Sequence, residues 1–502
     1  MRVLFVASEA TPFAKTGGLA DVSSALPIAL SRLGCDVTLI IPAYREALEN
    51  AESKGLSVEP TGIHFEIPIG TPRIDAQVFR SHLPVTSDGP SPEVLLISNE
   101  KYFDRTSLYG SPVDYADNAA RFTFFSRAAM EVACRSDRVF DIIHCHDWQT
   151  GLVPAYQKLM YQSCPAVSRA RTIMTIHNMA YQGVFWHWDM LLTGLDWKYF
   201  NWEQMEFYGQ LNLLKTGIVF ADAVSTVSPT YAREIQSAPG GCGLETLLAS
   251  RSHSLSGIVN GIDPDVWDPQ TDPQIPHHYS GESYEQGKYA AKIALAARLG
   301  RAAPSPRPLI AFIGRFAEQK GVDLLIEMLR RLAAKGHAHF VVLGTGDPGI
   351  EEALRQVAAS FPETIDLSIG FNESLAHLAQ AAADMILVPS RYEPCGLTQL
   401  YAMRYGTIPI VRATGGLIDT VIDLNSDSLG AGTATGFVFE SFDAQSLEQT
   451  VMRALETYKD RNVWKTLVHR VMQQDWSWSA SARGYLDLYS RLLEKGSGLP
   501  RE

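Results

Sequence analysis

The sequence has 502 residues, more than one hydrophobic core ordinarily organises, so two sizeable domains are expected. Hydrophobic residues make up 46% and charged ones 20%, which excludes a disordered or fibrous chain. A formal net charge of -12 repels nucleic-acid phosphates and anionic membranes, so neither is an expected partner, although a few local Lys and Arg can still hold a small anion.

In chain order, short apolar runs alternate with stretches of helical spacing. Residues 3–7 read as a buried strand, 22–33 as a helix ended by Gly34, and 37–41 as the next strand. Runs at 94–98, 142–145, 172–176, 223–227 and 257–259 continue the series. After Asn260, the segment 264–289 is rich in Pro, Asp and His with little periodicity, and 301–308 (RAAPSPRP) reads as an extended linker. Alternation then restarts, with strands at 309–313, 339–343, 365–369 and 385–388 and helices at 322–334, 350–360 and 375–382. Strands separated by helices imply parallel pairing, so the expected fold is α/β with two doubly wound sheets. The boundaries are an N-terminal domain at 1–262, a linker or hinge at 263–308 and a C-terminal domain at 309–475. The aromatic-rich helical end, 476–502, is expected to pack back on the N-terminal domain.

The first apolar run meets Ser8 and Glu9 at once, too early for a signal peptide. No apolar, charge-free stretch reaches the roughly 18 residues of a membrane span. The six cysteines (Cys35, Cys134, Cys145, Cys164, Cys242, Cys395) are scattered without a Cys-x-x-Cys pair, which fits a reducing cytosol better than a disulfide framework. These features point to a cytoplasmic protein.

Lys15-Thr16-Gly17-Gly18-Leu19 follows the first strand and opens a helix. Glycines let a backbone approach phosphate, a helix N-terminus offers N–H groups, and Lys15 adds a point charge. The segment is neither G-x-G-x-x-G nor G-x-x-x-x-G-K-[ST], so the dinucleotide and P-loop fingerprints are absent. The competing reading is a tight turn with a surface lysine. Its continuation to Asp21 is echoed by Thr414-Gly415-Gly416-Leu417-Ile418-Asp419. Either two related halves each present such a loop to a shared cleft, or a common turn recurs by chance.

In 314–321 (GRFAEQKG), Arg315 and Lys320 can converge on a diphosphate at a strand's carboxyl end and stabilise it as it departs. A solvated charged loop is the alternative. In 389–397 (PSRYEPCGL), Glu393 lies just before a helix, where a carboxylate can hold sugar hydroxyls or oppose positive charge. Cys395 reads as a small buried thiol at a turn, since no His or Asn partner motif accompanies it. His144, His146 and Asp147 suggest a metal on first reading, but no second cluster with zinc spacing follows. They are read as polar residues lining a cleft, and no metal is expected. His177-Asn178 and Asn260 sit at strand ends, where a lone polar residue is often only a cap.

Together these segments resemble the bacterial and plastid branch of the glycogen and starch synthase family. The matching residues are 15–22 (KTGGLADV), 144–149 (HCHDWQ), His177-Asn178 with Tyr181-Gln182-Gly183, 259–263 (VNGID), Gly314-Arg315 with Gln319-Lys320-Gly321, and 389–397. In family order they run from residue 1 to Trp476-Ser477-Trp478, nearly the whole chain. The resemblance implies a GT-B fold, two Rossmann-like domains facing a deep cleft. It implies transfer of glucose from ADP-glucose to the non-reducing 4-hydroxyl of an α-1,4-glucan, with retention and with no metal or other cofactor. It places Lys15, Gly17 and Gly18 near the diphosphate and glucose, Asp21 on the sugar, and His177 and Asn260 in the donor glucose pocket. Arg315 and Lys320 would grip the diphosphate, and Glu393, Cys395, Gly396, Leu397 and Thr398 would hold glucose and phosphate. Glu393, Arg315, Lys320 and His177 would be catalytic, and Asp147 and Trp148 would face the acceptor. The chain departs from the family at Phe371, where related chains often carry Tyr, a change that bears on base stacking.

Three other functions compete. A pyridoxal-phosphate glucan phosphorylase needs a Schiff-base lysine and a phosphate cup, and this chain is short for one. An NAD-dependent oxidoreductase lacks its fingerprint. A non-catalytic glucan-binding protein on the same fold is opposed by the presence of Lys15, Arg315, Lys320 and Glu393. A retaining hydrolase uses two carboxyl groups about 5 Å apart. No second carboxylate is evident beside Glu393, so front-face substitution, with the departing diphosphate helping to deprotonate the acceptor, is expected over a glucosyl-enzyme.

Overall fold

The strand Arg2–Val6 (β1) is apolar beyond Arg2, and all of that part is buried. This is the pattern of a parallel strand covered on both faces. The computed structural model describes residues 1–85, 89–111, 113–370 and 372–496. The chain divides into two units, each built on a sheet of such strands. The first comprises Met1–Val227, Ala232–Gly261 and the chain from Trp478, and the second Ser228–Tyr231 and Ile262–Ser477.

In the first unit β1 is followed by β2 (Asp36–Pro42), β3 (Glu59–Pro68), β4 (Arg73–His82), β5 (Glu93–Ser98), β6 (Ile142–His146) and β7 (Arg171–Ile176). Three short strands, β8 (Val184–Phe185), β9 (Glu206–Phe207) and β10 (Gln210–Asn212), make a small antiparallel sheet of their own. With β11 (Ala223–Thr226) and β12 (Leu255–Gly257), the main sheet has the order β12-β11-β7-β6-β1-β2-β5-β4-β3. It is parallel except where β4 pairs β3 and β5. The β3–β4 extension breaks the expected alternation of strands and helices. Along β4 only every second residue (Ile74, Ala76, Val78) is buried at first, as in a sheet with one wet face. The strand expected at 257–259 lies two residues earlier, at β12.

The helix Trp478–Gly496 belongs to the first unit and packs against the helix Gly18–Arg32. Its Tyr489 hydroxyl lies 2.7 Å from His144 Nδ1 on β6. The cysteines depart from the sequence reading in one pair: Cys134 and Cys164 are joined by a disulfide, their Cα atoms 6.0 Å apart. No spacing motif marks the pair, because a tertiary fold brings together residues 30 positions apart.

The second unit holds β13 (Leu309–Ile313), β14 (His339–Gly344), β15 (Ile365–Ile369), β16 (Met385–Val388), β17 (Ile408–Arg412) and β18 (Phe437–Phe439). Its sheet has the order β15-β14-β13-β16-β17-β18, parallel throughout. The stretch 263–308, expected as a hinge, lies within this unit and carries the helix Tyr284–Arg298, which packs against Glu373–Ala382. Buried Lys288 fixes that helix, donating to the carbonyls of Ala381 and Tyr405 and to Thr407 Oγ1. Among the described residues no helix is long and apolar enough to cross a membrane.

Candidate active site

Each sheet reverses its strand order beside its first strand. In the first unit the chain runs outward from β1 through β2 on one side and from β6 through β7 on the other. In the second, β13 leads to β14 and β15 while β16 leads to β17 and β18. Loops leaving the carboxyl ends of diverging strands open a crevice at such a switch point, where ligands bind in open α/β sheets. Of the predicted site residues, Lys15 and Gly17 follow β1, Asp147 and Trp148 follow β6, Arg315 and Lys320 follow β13, and Glu393, Cys395, Gly396 and Leu397 follow β16, whereas His177 follows β7, Asn260 follows the edge strand β12, and Gly18, Asp21 and Thr398 lie in the helices after the loops.

In the second unit, 314–321 leaves β13 and 389–397 leaves β16. The two loops are joined by their backbones: Arg391 N donates to Gln319 O at 2.8 Å. Gly321 has φ +67, and a Cβ there would sit 2.0 Å from Pro389 O, so only glycine fits the junction. Lys320 Nζ donates to Glu393 Oε2 at 2.6 Å, and Ser390 Oγ donates to the same oxygen at 2.8 Å. Glu393 is 5% exposed, and the Lys320 side chain is 22% exposed. Arg315 is exposed and its Nη2 donates to Gln319 Oε1 at 3.2 Å. Gly396, Leu397 and Thr398 lead into the helix Thr398–Arg404, with Leu397 at its N-cap. Buried Cys395 sits at the same turn.

The echoed Thr-Gly-Gly segment opens the helix Gly415–Thr420 after β17, just as 16–18 opens Gly18–Arg32 after β1. The reasons for glycine differ. Gly415 has φ +46, and a Cβ on it would meet Glu393 O at 1.9 Å, so this loop props the back of the Glu393 turn. A Cβ on Gly17, by contrast, would meet nothing within 4 Å, which leaves its backbone open to approach. Asp419 is taken up by Thr230, whose N and Oγ1 donate to it at 2.8 and 2.7 Å.

In the first unit Lys15, Thr16, Gly17 and Gly18 are exposed after β1, and Lys15 Nζ donates to Asp21 Oδ1 at 2.7 Å. Beneath them lies Glu9, a residue outside the sequence motifs. Its carboxylate receives Thr16 Oγ1 at 3.0 and 3.1 Å and Tyr109 OH at 3.3 Å. Burial pushes this carboxyl above its usual range against those hydrogen bonds. The one sequence signal for it is a carboxylate immediately after an apolar strand.

Asp147 follows β6 with φ 56, and its Oδ1 accepts the His177 backbone N–H at 2.7 Å. Burial raises its carboxyl to about 7. His146 Nδ1 lies 3.0 Å from His177 Nε2. His144 is engaged at both ring nitrogens, by Tyr489 OH and by Thr175 Oγ1 at 2.6 Å. Burial lowers His144 and His177 to about 3 and His146 well below its usual value, so the three rings are neutral at pH 7. Trp148 is buried, edge-on to Phe122 and Phe185. Asn260 is 6% exposed, and its Oδ1 has no hydrogen-bond partner among the described residues. Phe371 lies outside the described residues.

Within the second unit Lys320, Glu393 and Ser390 come together, and within the first Lys15 pairs with Asp21, and His146 and Asp147 each meet His177. A cation held by a buried carboxylate suits a diphosphate, and neutral imidazoles and an unpaired amide oxygen suit sugar hydroxyls.

Residues 2–250 match the starch synthase catalytic domain family and 298–467 match glycosyl transferases group 1. The chain is 42% identical to a glycogen synthase of Rhodopirellula baltica, covering 98% of each chain. It is 45% identical to a glycogen synthase of an Anaeromyxobacter species, covering 98% of this chain and 99% of that one. It is 44% identical to glycogen synthase 2 of Geobacter sulfurreducens over 99% of this chain and 100% of that one. The structure superposes on the catalytic domain of starch synthase IV from Arabidopsis thaliana, bound to ADP and acarbose, with a TM-score of 0.88 and 36% identity, covering 98% and 99% of the two chains. The fold is therefore the two-domain α/β GT-B fold of that enzyme. A chain related over nearly its full length to several glycogen synthases belongs to the glycogen and starch synthase family.

Proposed function

We propose that this chain transfers glucose from ADP-glucose to the non-reducing end of an α-1,4-glucan, with retention at the anomeric carbon. The observation that carries this reading is the Lys320–Glu393 pair at the β13/β16 switch point, in a chain related end to end to glycogen synthases. The ADP in the starch synthase IV structure supports the adenine nucleotide as donor carrier. The bond from the anomeric carbon to the β-phosphate breaks, the bond to the acceptor 4-oxygen forms on the same face, and the acceptor's proton passes to the departing phosphate.

In this reading Arg315 and Lys320 bind the diphosphate, and Glu393 orients Lys320 and opposes positive charge on the sugar. Oε2 of Glu393 already accepts from a cation and a hydroxyl, which favours an electrostatic part over a covalent one. Lys15 and the open Gly17-Gly18 backbone approach the donor phosphates, with Asp21, neutral His177 and Asn260 at the glucose. Asp147 holds His177 by its backbone and, with Trp148, faces the acceptor. Gly396, Leu397 and Thr398 offer backbone groups to the donor, and Cys395 packs the turn. We place the reaction in the cytoplasm, where nucleotide-sugar and glucan meet. A glucan phosphorylase is disfavoured, because the full-length relatives named above are synthases.

The test is transfer of labelled glucose to glycogen from ADP-glucose and UDP-glucose in parallel. Incorporation from ADP-glucose at new non-reducing α-1,4 ends supports the reading, and incorporation from UDP-glucose alone refutes the donor.

A further inference from the structure

Every exposed tryptophan among the described residues lies in one short stretch of the first unit. Trp186 and Trp202 are 63% and 74% exposed, and Trp188 and Trp197 are close to half exposed, whereas Trp148, Trp464 and Trp478 are buried and Trp267 and Trp476 partly so. Large aromatic rings left in water in one cluster mark a binding surface rather than incomplete burial.

The rings are ordered. Trp188 and Trp197 are 17° from parallel with centroids 5.6 Å apart, and Trp197 and Phe200 are 11° from parallel at 5.2 Å. Trp186 stands edge-on to Trp188. The backbone beneath is held from inside. Met190 and Thr193 are buried, Tyr156 OH donates to Thr193 O at 2.9 Å, and the Asp196 side chain caps the turn at Lys198 N. Asp196, Lys198 and Glu203 are exposed in the same stretch.

We infer that this terrace holds an α-1,4-glucan chain, the apolar faces of successive glucose units packing on the exposed parts of Trp186 and of the Trp188–Trp197–Phe200 stack while Asp196 and Lys198 meet sugar hydroxyls. The inference rests on the proposed function for the identity of the polymer. Aromatic rings supply a flat apolar face with a polar edge, which is what a sugar ring presents in return. The core of a protein–protein interface is instead depleted of charge, and here exposed Asp196 and Lys198 flank Trp197 and exposed Glu203 follows Trp202. The platform would tether the polymer and raise the local concentration of its ends.

The test uses the full chain with Trp186→Ala/Trp188→Ala and, separately, with Trp197→Ala. Electrophoresis through gels containing glycogen should show retardation weakened about 5-fold or more. KM for glycogen should rise by a similar factor, with kcat, KM for ADP-glucose and activity on maltotriose unchanged. Unchanged retardation and unchanged KM for glycogen overturn the inference. So does a wild-type dimer that these changes split in sedimentation while glycogen affinity stays the same, since the patch then binds a second copy. Wild-type protein that transfers glucose while the variants still bind glycogen normally refutes this inference alone. Wild-type protein that binds glycogen through the tryptophans but transfers no glucose refutes the proposed function alone.

Discussion

Lys320 Nζ lies 2.6 Å from Glu393 Oε2, joining the loop after β13 to the loop after β16. The two residues read from sequence as separate ligands of a nucleotide-sugar are partners of each other. The carboxylate is buried and the ammonium sits nearer the surface, so the pair presents a cation outward on a fixed base.

Removing that cation should cost stability as well as activity. Lys320→Ala leaves Glu393 buried with Ser390 as its remaining side-chain donor at Oε2. The expected loss is roughly 2–3 kcal/mol, below the range for a fully buried pair because Lys320 is partly solvated. Adding Glu393→Gln to Lys320→Ala should restore much of it, because the stranded charge is gone. Denaturant unfolding without nucleotide measures this, and strictly additive losses would contradict the coupling.

Glu393→Gln should keep ADP affinity within a few-fold and lower transfer by about 10²-fold or more. The amide preserves shape but not the charge that opposes a positive anomeric carbon. Calorimetric ADP titration and initial rates separate the two effects. An equal loss in both would assign Glu393 to nucleotide binding.

Asn260 keeps a buried oxygen without a partner among the described residues, so truncating it removes no acceptor bond at that atom. Asn260→Ala should therefore shift the unfolding midpoint little while raising KM for ADP-glucose roughly 5- to 30-fold, the range of one hydrogen bond worth about 1–2 kcal/mol. A large stability loss with unchanged KM would make Asn260 structural.

The buried groups behind the first-unit loops set a pH dependence. Asp147 is raised from 3.8 to about 7, so the native state holds its extra proton between those values and stability falls there as pH rises. Glu9, also raised, acts in the same direction. His144 and His177, lowered from 6.5 to about 3, and His146, also lowered by burial, bind fewer protons in the native state and act oppositely. Three groups outweigh two, so stability should rise from about pH 4.5 to 6. Asp147→Asn keeps an oxygen for the His177 N–H but removes one opposing titration. Its stability should climb more steeply, by about 1.4 kcal/mol per pH unit. Parallel profiles for the two proteins would show that Asp147 does not titrate as described.

Much of the fold is legible in the sequence because parallel strands buried on both faces are unbroken apolar runs, as at 3–7 and 309–313. The β3–β4 hairpin alternates polar with apolar residues, and β18 is only three residues long, so neither carries that signal. The site motifs are legible because they lie on loops directly after those strands. Glu9 and Ser390 are not, since their importance lies in which atom they reach. The Cys134–Cys164 bond and the tryptophan terrace are hidden for a related reason: pairing and exposure follow from packing rather than from spacing.

The central claim is that the two cations after β13 stabilise negative charge as the diphosphate departs. An interaction that strengthens in the transition state lowers kcat when removed, and losing one such donor costs about 2.7–4 kcal/mol, or 10²–10³ in rate. The direct measurement is kcat at saturating ADP-glucose and glycogen for Arg315→Ala, Lys320→Ala and the double variant. Each single change is predicted to lower kcat by about 10²–10³, with the double variant losing less than the product because both groups act on one leaving group. Wild-type kcat in both single variants would contradict the account.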